Sequence, residues 1–378
     1  MLTTPRAILG AFVAVHVIND FYATVLPAFL PALAREWDLD YTELGLLSFA
    51  FTLFTGVLQP LIGHVADKQG KRKLILSVGF FTGGSGFLLM AVAPSFWFIT
   101  VVSLLCGLGA AAYHPQATAF VVSAYPNDRG RMLGIHGWGG SVGHFLAPAI
   151  ATVAIAALDW RWAMVIVAIP IIGAGTGLWA YLPESSSNPE ASLKGALGRP
   201  IVIAALAFGL LNTVLYSFVT FVVKMLVDEG WAEVTAGATL TTMLFIGVVA
   251  QPVGGRIYDR FGGRNLFVCA NLGTILSVLL FSQTSGLVSL IAVGAIATFG
   301  FGLFPVSLAI ASKIGGDSRT GFTVGVVFGV SGLLGATARP AVGALAEAVG
   351  DIRLALGWTI IFAIAALPFA MQLEKEDT

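Results

Sequence analysis

Long apolar stretches follow one another along the whole chain, each ended by a short cluster of charged or turn-forming residues. A helix needs about 20 apolar residues to cross a bilayer. Twelve stretches have about this length, with predicted bounds 7–33, 42–66, 74–93, 96–124, 131–157, 161–182, 199–227, 233–257, 265–283, 286–312, 320–349 and 353–372. The pattern predicts an all-α membrane protein with twelve transmembrane helices.

Composition supports the lipid bilayer as the surroundings of this chain. Hydrophobic residues make up 57% of it and charged residues only 11%, whereas soluble proteins carry roughly 25% charge. The formal net charge is zero, which excludes a basic surface for nucleic acid. Cys106 and Cys269 both lie in apolar stretches, so we expect neither a disulfide framework nor a cysteine metal cluster.

The distribution of basic residues predicts the orientation in the membrane. With the N-terminus in the cytoplasm, fifteen Lys or Arg residues fall on the cytoplasmic side and four on the outer side: Arg35, Arg161, Lys224 and Arg353. Cytoplasmic loops of membrane proteins are enriched in Lys and Arg, so we expect both termini to be cytoplasmic. The head MLTTPR leads directly into the first span, and we expect no cleavable signal peptide.

The chain repeats itself at half its length. Residues 59–73 (QPLIGHVADKQGKRK) and 251–265 (QPVGGRIYDRFGGRN) match at six positions, with an offset of 251 − 59 = 192. The same offset pairs Asp20 with Asn212. Such a duplication predicts two pseudo-symmetric six-helix halves with a binding site near the middle of the bilayer.

The predicted domains follow from this repeat. The N-terminal half is 1–182 and the C-terminal half is 199–378. The segment between them, 183–198, is rich in Ser, Pro and Glu, which is typical of a linker rather than a domain.

The repeated segment resembles the loop G-x-x-x-D-R/K-x-G-R/K-R/K of the major facilitator superfamily. The resemblance implies a gating latch that closes the inner side in one conformation, with the Asp near a helix N-terminus; the alternative is a basic loop that only determines topology. The matching residues are Gly63, Asp67, Lys68, Gly70, Lys71 and Arg72, then Gly255, Asp259, Arg260, Gly262 and Arg264.

Four further stretches, 16–33, 51–68, 107–115 and 130–148, resemble the fosmidomycin-resistance type of bacterial drug exporters. The resemblance implies a monomeric transporter in the bacterial inner membrane that exports drugs in exchange for protons. Gln116 and Ser103 depart from residues that proton-coupled relatives carry there.

Asp20 is the only carboxylate predicted near the middle of a span, where a charge costs roughly 2.5–3.5 kcal/mol. His16 lies one helical turn earlier on the same face. We expect Asp20 to bind the coupling proton or cation and His16 to adjust the affinity of this site. The alternative is that Asn19, Asp20 and His16 satisfy one another and only support helix packing.

Other polar and aromatic residues in the spans are candidates for substrate binding. Each also has a structural alternative: the polar groups could bind neighbouring helices, the tyrosines could pack, and Arg339 could pair with Asp20 or extend to the membrane surface. The candidates are Asn19, Tyr22, Tyr113, His114, Gln116, Asn212 and Arg339.

His136 and His144 lie eight residues apart on one face of span 5. Because two histidines at H-x-x-x-H spacing are absent from the sequence, we expect no metal site. The sequence contains neither a G-x-x-x-x-G-K-S/T loop nor a catalytic spacing, so we expect no cofactor and no enzyme activity.

We therefore expect a secondary transporter that works by alternating access and exports small organic molecules or drugs in exchange for protons. Its expected partners are a small-molecule substrate, protons and the lipid bilayer. An uptake or metal-ion carrier, or a transport-inactive membrane sensor, is the alternative.

Overall fold

A computed structural model describes residues 4–184 and 198–374, apart from the side chains of residues 67, 129, 130 and 316–321. The regular structure in this part of the chain is helical, without a strand. Twelve helical segments within it are long and apolar enough to cross a membrane. The predicted fold class, an all-α membrane protein with twelve spans, is confirmed.

The spans are built from fifteen helices in the described residues. Those of the N-terminal half are α1 (Pro5–Thr24), α2 (Leu26–Trp37), α3 (Tyr41–Gln69), α4 (Arg72–Ala91), α5 (Phe96–Ala111), α6 (Tyr113–Ala124), α7 (Arg129–Leu158) and α8 (Trp160–Tyr181). Those of the C-terminal half are α9 (Arg199–Asp228), α10 (Glu233–Phe261), α11 (Gly263–Gln283), α12 (Gly286–Gly302), α13 (Phe304–Val349), α14 (Ile352–Trp358) and α15 (Ile360–Met371).

Prolines divide three of the spans into two helices each. Pro27, Pro115 and Pro305 lie in the first turns of α2, α6 and α13. Proline has no N–H, and its ring collides with the carbonyl four residues earlier. For Pro115 that carbonyl belongs to Ala111, where α5 ends. After the break, α6 begins with His114 in its first turn.

The chain divides into two compact units, residues 1–38 with 50–192 and residues 39–49 with 193–378. The first residues of α3 therefore belong to the second unit, although they precede most of the first in sequence. Most of the predicted linker, 183–198, lies outside the described residues. The predicted domain boundaries stay a prediction.

Residues 39–49 are held in the second unit by polar contacts of Tyr41. Its backbone N–H donates to Glu347 Oε1 over 2.9 Å, and its hydroxyl donates to Asp228 Oδ2 over 2.6 Å. A side chain at Gly343 would collide with the carbonyl oxygen of Tyr41. The start of α3 thus packs against the backbone of α13 and the end of α9.

Each unit contains the same clamp at the start of its last span. Asp159 caps α8 by accepting the backbone N–H groups of Arg161 and Trp162, and Arg161 Nη2 lies 2.8 Å from Glu36 Oε1. Asp159 also has a positive φ of 121°. The cap and the ion pair join the start of α8 to the end of the first span.

The second unit repeats this clamp. Asp351 accepts the backbone N–H groups of Arg353 and Leu354, and Arg353 Nη2 lies 2.7 Å from Glu229 Oε1. The capping residues are separated by 351 − 159 = 192 and the arginines by 353 − 161 = 192 positions. The offset found in the sequence therefore also relates side chains with the same structural role.

Helix α13 contains a reversal of the chain. Thr323 Oγ1 donates to the carbonyl oxygen of Ala311 over 2.7 Å, although twelve residues of straight helix would separate these groups by about 18 Å. Two separate spans, Gly286–Gly315 and Phe322–Val349, lie on either side of the reversal. They correspond to the predicted spans 286–312 and 320–349.

Glycines let α7 pack directly on the backbone of α1. A Cβ at Gly139 would lie 2.5 Å from the carbonyl oxygen of Val13. One at Gly143 would overlap the carbonyl oxygen of Val17 and lie 2.8 Å from the backbone nitrogen of Phe21. Small residues allow such close approach of membrane helices.

This packing gives a first prediction. Gly143→Ala should lower the free energy of unfolding by about 1–3 kcal/mol, because its methyl group must push α7 away from α1. Gly137→Ala is the matched control: it lies on the same helix, a Cβ there meets nothing within 4 Å, and alanine is the better helix former. Thermal unfolding of both variants in detergent would measure the difference, and equal midpoints would contradict the packing argument.

Candidate functional site

Three helices of the first unit bring histidines to one carboxylate. His16 and Asp20 lie on α1, His114 on α6 and His144 on α7. His16 Nε2 lies 3.2 Å from Asp20 Oδ2, His144 Nδ1 lies 3.3 Å from the same oxygen, and His114 Nε2 lies 3.7 Å from Oδ1. We call these four residues the Asp20 cluster.

The hydrogen bond of the His16 ring shows which of its two nitrogens carries a proton. Its Nδ1 lies 2.8 Å from the backbone carbonyl oxygen of His136. A carbonyl oxygen only accepts hydrogen bonds, so Nδ1 carries a proton and the remaining ring nitrogen, Nε2, faces the carboxylate. Two lone pairs at 3.2 Å would repel one another. The His16–Asp20 pair therefore needs one proton, either on Nε2 or on the carboxyl group.

Two further donors surround the carboxylate. Asn19 Nδ2 donates to Asp20 Oδ1 over 2.8 Å. His144 Nδ1 lies 3.1 Å from the carbonyl oxygen of Gly140, which requires a proton on that nitrogen, and the same N–H is within reach of Asp20 Oδ2. A carboxyl group that is only 5% exposed is thus compensated by polar groups on α1 and α7.

Gly140 provides the space for the His16–Asp20 pair. A Cβ at this position would overlap Asp20 Oδ2 and lie 2.5 Å from His16 Nε2. Only glycine leaves room for both side chains at this helix contact. Gly139, Gly140 and Gly143 form a glycine stripe on α7. Gly139 and Gly143 allow close packing on α1, and Gly140 leaves space for the Asp20 cluster.

The proximity of His136 and His144 to the His16–Asp20 pair is not predicted by the sequence. The ring of His136 stacks on that of His16, with centroids 4.2 Å apart and an angle of 24°. Eight-residue spacing on α7 correctly indicated a shared face, but nothing in the sequence stated which helix that face contacts. The signal that could have found it is the glycine stripe on the same face, which predicts the close neighbour.

The candidates on α6 differ in their accessibility. The side chain of His114 is 44% exposed, whereas Tyr113 and Gln116 are fully buried. Tyr113 donates its hydroxyl to the carbonyl oxygen of Phe12 over 2.9 Å. Neither amide atom of Gln116 has a hydrogen-bond partner among the described residues. Substrate binding by these three residues stays a prediction.

The other candidates are also buried. Tyr22 packs edge-on against Phe80 and Phe87, the packing that the sequence analysis gave as the alternative. In the second unit, Asn212 Nδ2 donates to Ser331 Oγ over 3.2 Å, as expected of an interhelical hydrogen bond. Substrate contacts by Tyr22 and Asn212 stay predictions.

Arg339 does not extend to the surface. It is 7% exposed, and its Nη1 donates to the carbonyl oxygen of Ser48 over 3.0 Å. Its guanidinium carbon lies 5.6 Å from the ring centroid of Tyr216. Of the alternatives for Arg339, the surface position is therefore wrong for this conformation, and substrate binding stays a prediction.

The predicted gating latch covers the end of one helix, a short connection and the start of the next helix: α3 and α4 in the first half, α10 and α11 in the second. Gly70 follows α3 with a φ of 68°, and Gly262 follows α10 with a φ of 75°, a conformation that favours glycine. The side chain of Asp67 lies outside the described residues. The latch function stays a prediction for all of these residues: Gly63, Asp67, Lys68, Gly70, Arg72, Gly255, Asp259, Arg260, Gly262 and Arg264.

The cluster also contains a possible set of metal ligands. One ligand atom each from His16, Asp20 and His114 lies within 4.8 Å of the other two. Ligand spacing on a single helix predicts no metal site, whereas the structure assembles these donors from two helices.

Twelve spans in two repeated halves, with ionisable side chains inside the membrane, are characteristic of secondary transporters. The family model of the Major Facilitator Superfamily matches residues 12–237 and 203–372. The chain belongs to the Major Facilitator Superfamily and is a multi-pass membrane transporter of this family.

Individual relatives cover nearly the whole chain. It is 28% identical to YfnC, an uncharacterized MFS-type transporter of Bacillus subtilis, over 99% of this chain and 95% of the relative. It is 26% identical to the fosmidomycin resistance protein of Escherichia coli, over 91% and 87%. The solved structure of a bacterial homolog of the human lysosomal transporter Spinster, inward-facing and unoccupied, shares the fold with a TM-score of 0.79, 17% identity and coverage of 98% and 96%.

The proton position at His16 can be checked directly. In protein with ¹⁵N-labelled histidine, assigned by comparison with His16→Gln, His16 Nδ1 should carry a proton because it faces a carbonyl oxygen. Gly140→Ala should shift the His16 resonances, since its methyl group overlaps the pair, whereas Gly137→Ala should leave them in place. An unprotonated Nδ1 in the wild-type protein would contradict the geometry.

Proposed function

We propose that this transporter exports small organic molecules or drugs in exchange for protons. Two observations support export of such compounds. A relative that covers almost the whole chain is named for fosmidomycin resistance. A second relative, 32% identical over 41% of this chain, is the puromycin resistance protein of Streptomyces alboniger.

The observation that carries proton coupling is the buried His16–Asp20 pair. Because the His136 carbonyl holds a proton on His16 Nδ1, the pair needs one further proton in the position between the two residues. A carboxylate that lost this proton inside the bundle would need another cation or polar donor near it. Proton release therefore creates a driving force for conformational change or substrate binding.

In this proposal a proton enters from the outer side and is released from Asp20 to the cytoplasm. His114 is the accessible member of the cluster, so a substrate bound beside it would approach Asp20 directly. The proposed substrate contacts on α1 and α6 are Asn19, Tyr22, Tyr113 and Gln116, and those on α9 and α13 are Asn212 and Arg339. All six residues are buried, so each is proposed to contact substrate only in a conformation that exposes it.

The same proposal includes the location and gating inferred from the sequence. The protein acts as a monomer in the bacterial inner membrane with both termini in the cytoplasm, and the two latch loops close its cytoplasmic side. Nucleic acid is not a partner. Uptake is the alternative direction. A relative named hexuronate transporter, with 24% identity over 67% of this chain, is named for a different class of solute.

A screen must first provide a substrate. Cells that lack their main exporters and express this protein should accumulate less of one or more toxic compounds, and an uncoupler should abolish the difference. If the compound enters faster when the protein is present, the direction is uptake. If no compound responds, the export proposal is wrong.

The role of Asp20 can then be measured in inside-out vesicles containing a metal chelator. Asp20→Asn should reduce proton-driven transport of the identified compound at least tenfold, because an amide cannot exchange a proton. Asp38→Asn is the matched control: Asp38 ends the same span in a left-handed conformation with a φ of 52°, which asparagine tolerates. Full gradient-driven transport by Asp20→Asn would refute the coupling role.

A further inference from the structure

We propose that His16, Asp20 and His114 bind one divalent transition-metal ion of the Zn²⁺ and Co²⁺ class, in place of the proton held by the His16–Asp20 pair. The site would be formed by α1 and α6 within the first unit. The proposal concerns binding and does not depend on the direction or substrate of transport.

The distances between the ligand atoms suit a small ion. Both nitrogens and the carboxylate oxygen lie within 4.8 Å of one another. Asp20 Oδ2 is 3.2 Å from His16 Nε2, and Asp20 Oδ1 is 3.7 Å from His114 Nε2. Around a tetrahedral Zn²⁺ with bonds of about 2.0–2.1 Å, neighbouring ligand atoms are about 3.3–3.4 Å apart. The widest separation, at most 4.8 Å, would have to close by at most about 1.5 Å to reach this spacing, and movement of the partly exposed His114 side chain would complete the coordination.

His16 is already oriented as a metal ligand. Its Nδ1 donates to the His136 carbonyl oxygen over 2.8 Å, so in the neutral ring the lone pair of Nε2 is directed at the carboxylate. Nε2 is buried, and apart from the carboxylate 3.2 Å away it has no hydrogen-bond partner among the described residues. Histidines that bind metals usually donate the other ring N–H to a carbonyl or carboxylate in this way.

The carboxylate ligand is held by its own hydrogen-bond donors. Asn19 Nδ2 lies 2.8 Å from Asp20 Oδ1, and His144 Nδ1 lies 3.3 Å from Asp20 Oδ2. Such outer groups orient a ligating carboxylate and commonly change metal affinity 10- to 100-fold when removed. Two of the three ligands thus have the supporting contacts that metal sites require.

The chemistry and accessibility of the ligands indicate the class of ion. Two imidazoles and one carboxylate suit Zn²⁺, Co²⁺ or Fe²⁺, whereas Mg²⁺ and Ca²⁺ prefer oxygen ligands. Three protein ligands leave a fourth position for water or a solute, as in exchangeable zinc sites. The side chain of His114, 44% exposed, provides the approach for the ion.

Binding can be tested with the purified full-length protein in detergent after removal of metals with a chelator. Isothermal titration with ZnCl₂ should show one ion per chain, and CoCl₂ should give the visible absorption of a Co²⁺ ion with nitrogen ligands. MgCl₂ should produce neither signal. If the wild-type chain bound neither Zn²⁺ nor Co²⁺, the proposal would be overturned.

Variants separate this site from adventitious binding. Asp20→Asn and His114→Asn should each weaken Zn²⁺ binding at least tenfold, and Asn19→Ala should weaken it while leaving all three ligands in place. His64→Asn is the control, because His64 is the one histidine whose side chain is not in or stacked on the Asp20 cluster. Unchanged affinity in His114→Asn, whose side chain is partly exposed and whose thermal unfolding should match the wild type, would overturn the proposal.

The outcome is independent of the proposed transport function. Transport in chelator-treated vesicles tests proton coupling without metal, and titration in detergent tests the metal without transport. Loss of proton-driven transport in Asp20→Asn together with absence of zinc binding would leave coupling intact and refute the metal site.

Discussion

A carboxylate inside a membrane helix bundle is stable only when nearby groups replace the water it has lost. Asp20 meets this requirement with groups from three helices: Asn19 and His16 on its own helix, His114 on α6 and His144 on α7. The requirement explains why each of these helices carries a polar side chain at this point.

Close packing of helices makes this arrangement possible. Gly139, Gly140 and Gly143 allow α7 to touch the backbone of α1, and Gly140 alone leaves room for the His16–Asp20 pair. Pro115 has a comparable effect on the other side, since it ends α5 and lets α6 begin with His114 directed at the cluster. Residues without polar side chains thus determine where the polar ones meet.

The fold could be predicted from the sequence because lipid requires long apolar helices and because the repeat is visible at an offset of 192. The pairing of His16 with Asp20 was also predictable, since both lie one turn apart on a single helix. The contribution of His144 was not, because its distance from Asp20 depends on how α7 packs against α1. Tyr22 shows the same limit: its helix was predicted, but not that Phe80 and Phe87 enclose its ring.

The missing side chain at Gly140 has a consequence for motion. The carboxylate of Asp20 occupies the space that a side chain at position 140 would fill. It therefore lies directly at the contact between α1 and α7. If α7 slid or tilted away from α1 by the diameter of one water molecule, about 2.8 Å, it would open a gap wide enough for a water molecule beside Asp20. Movement of α7 against α1 would therefore directly change the polarity of the surroundings of Asp20. No intermediate residues are needed to transmit the effect.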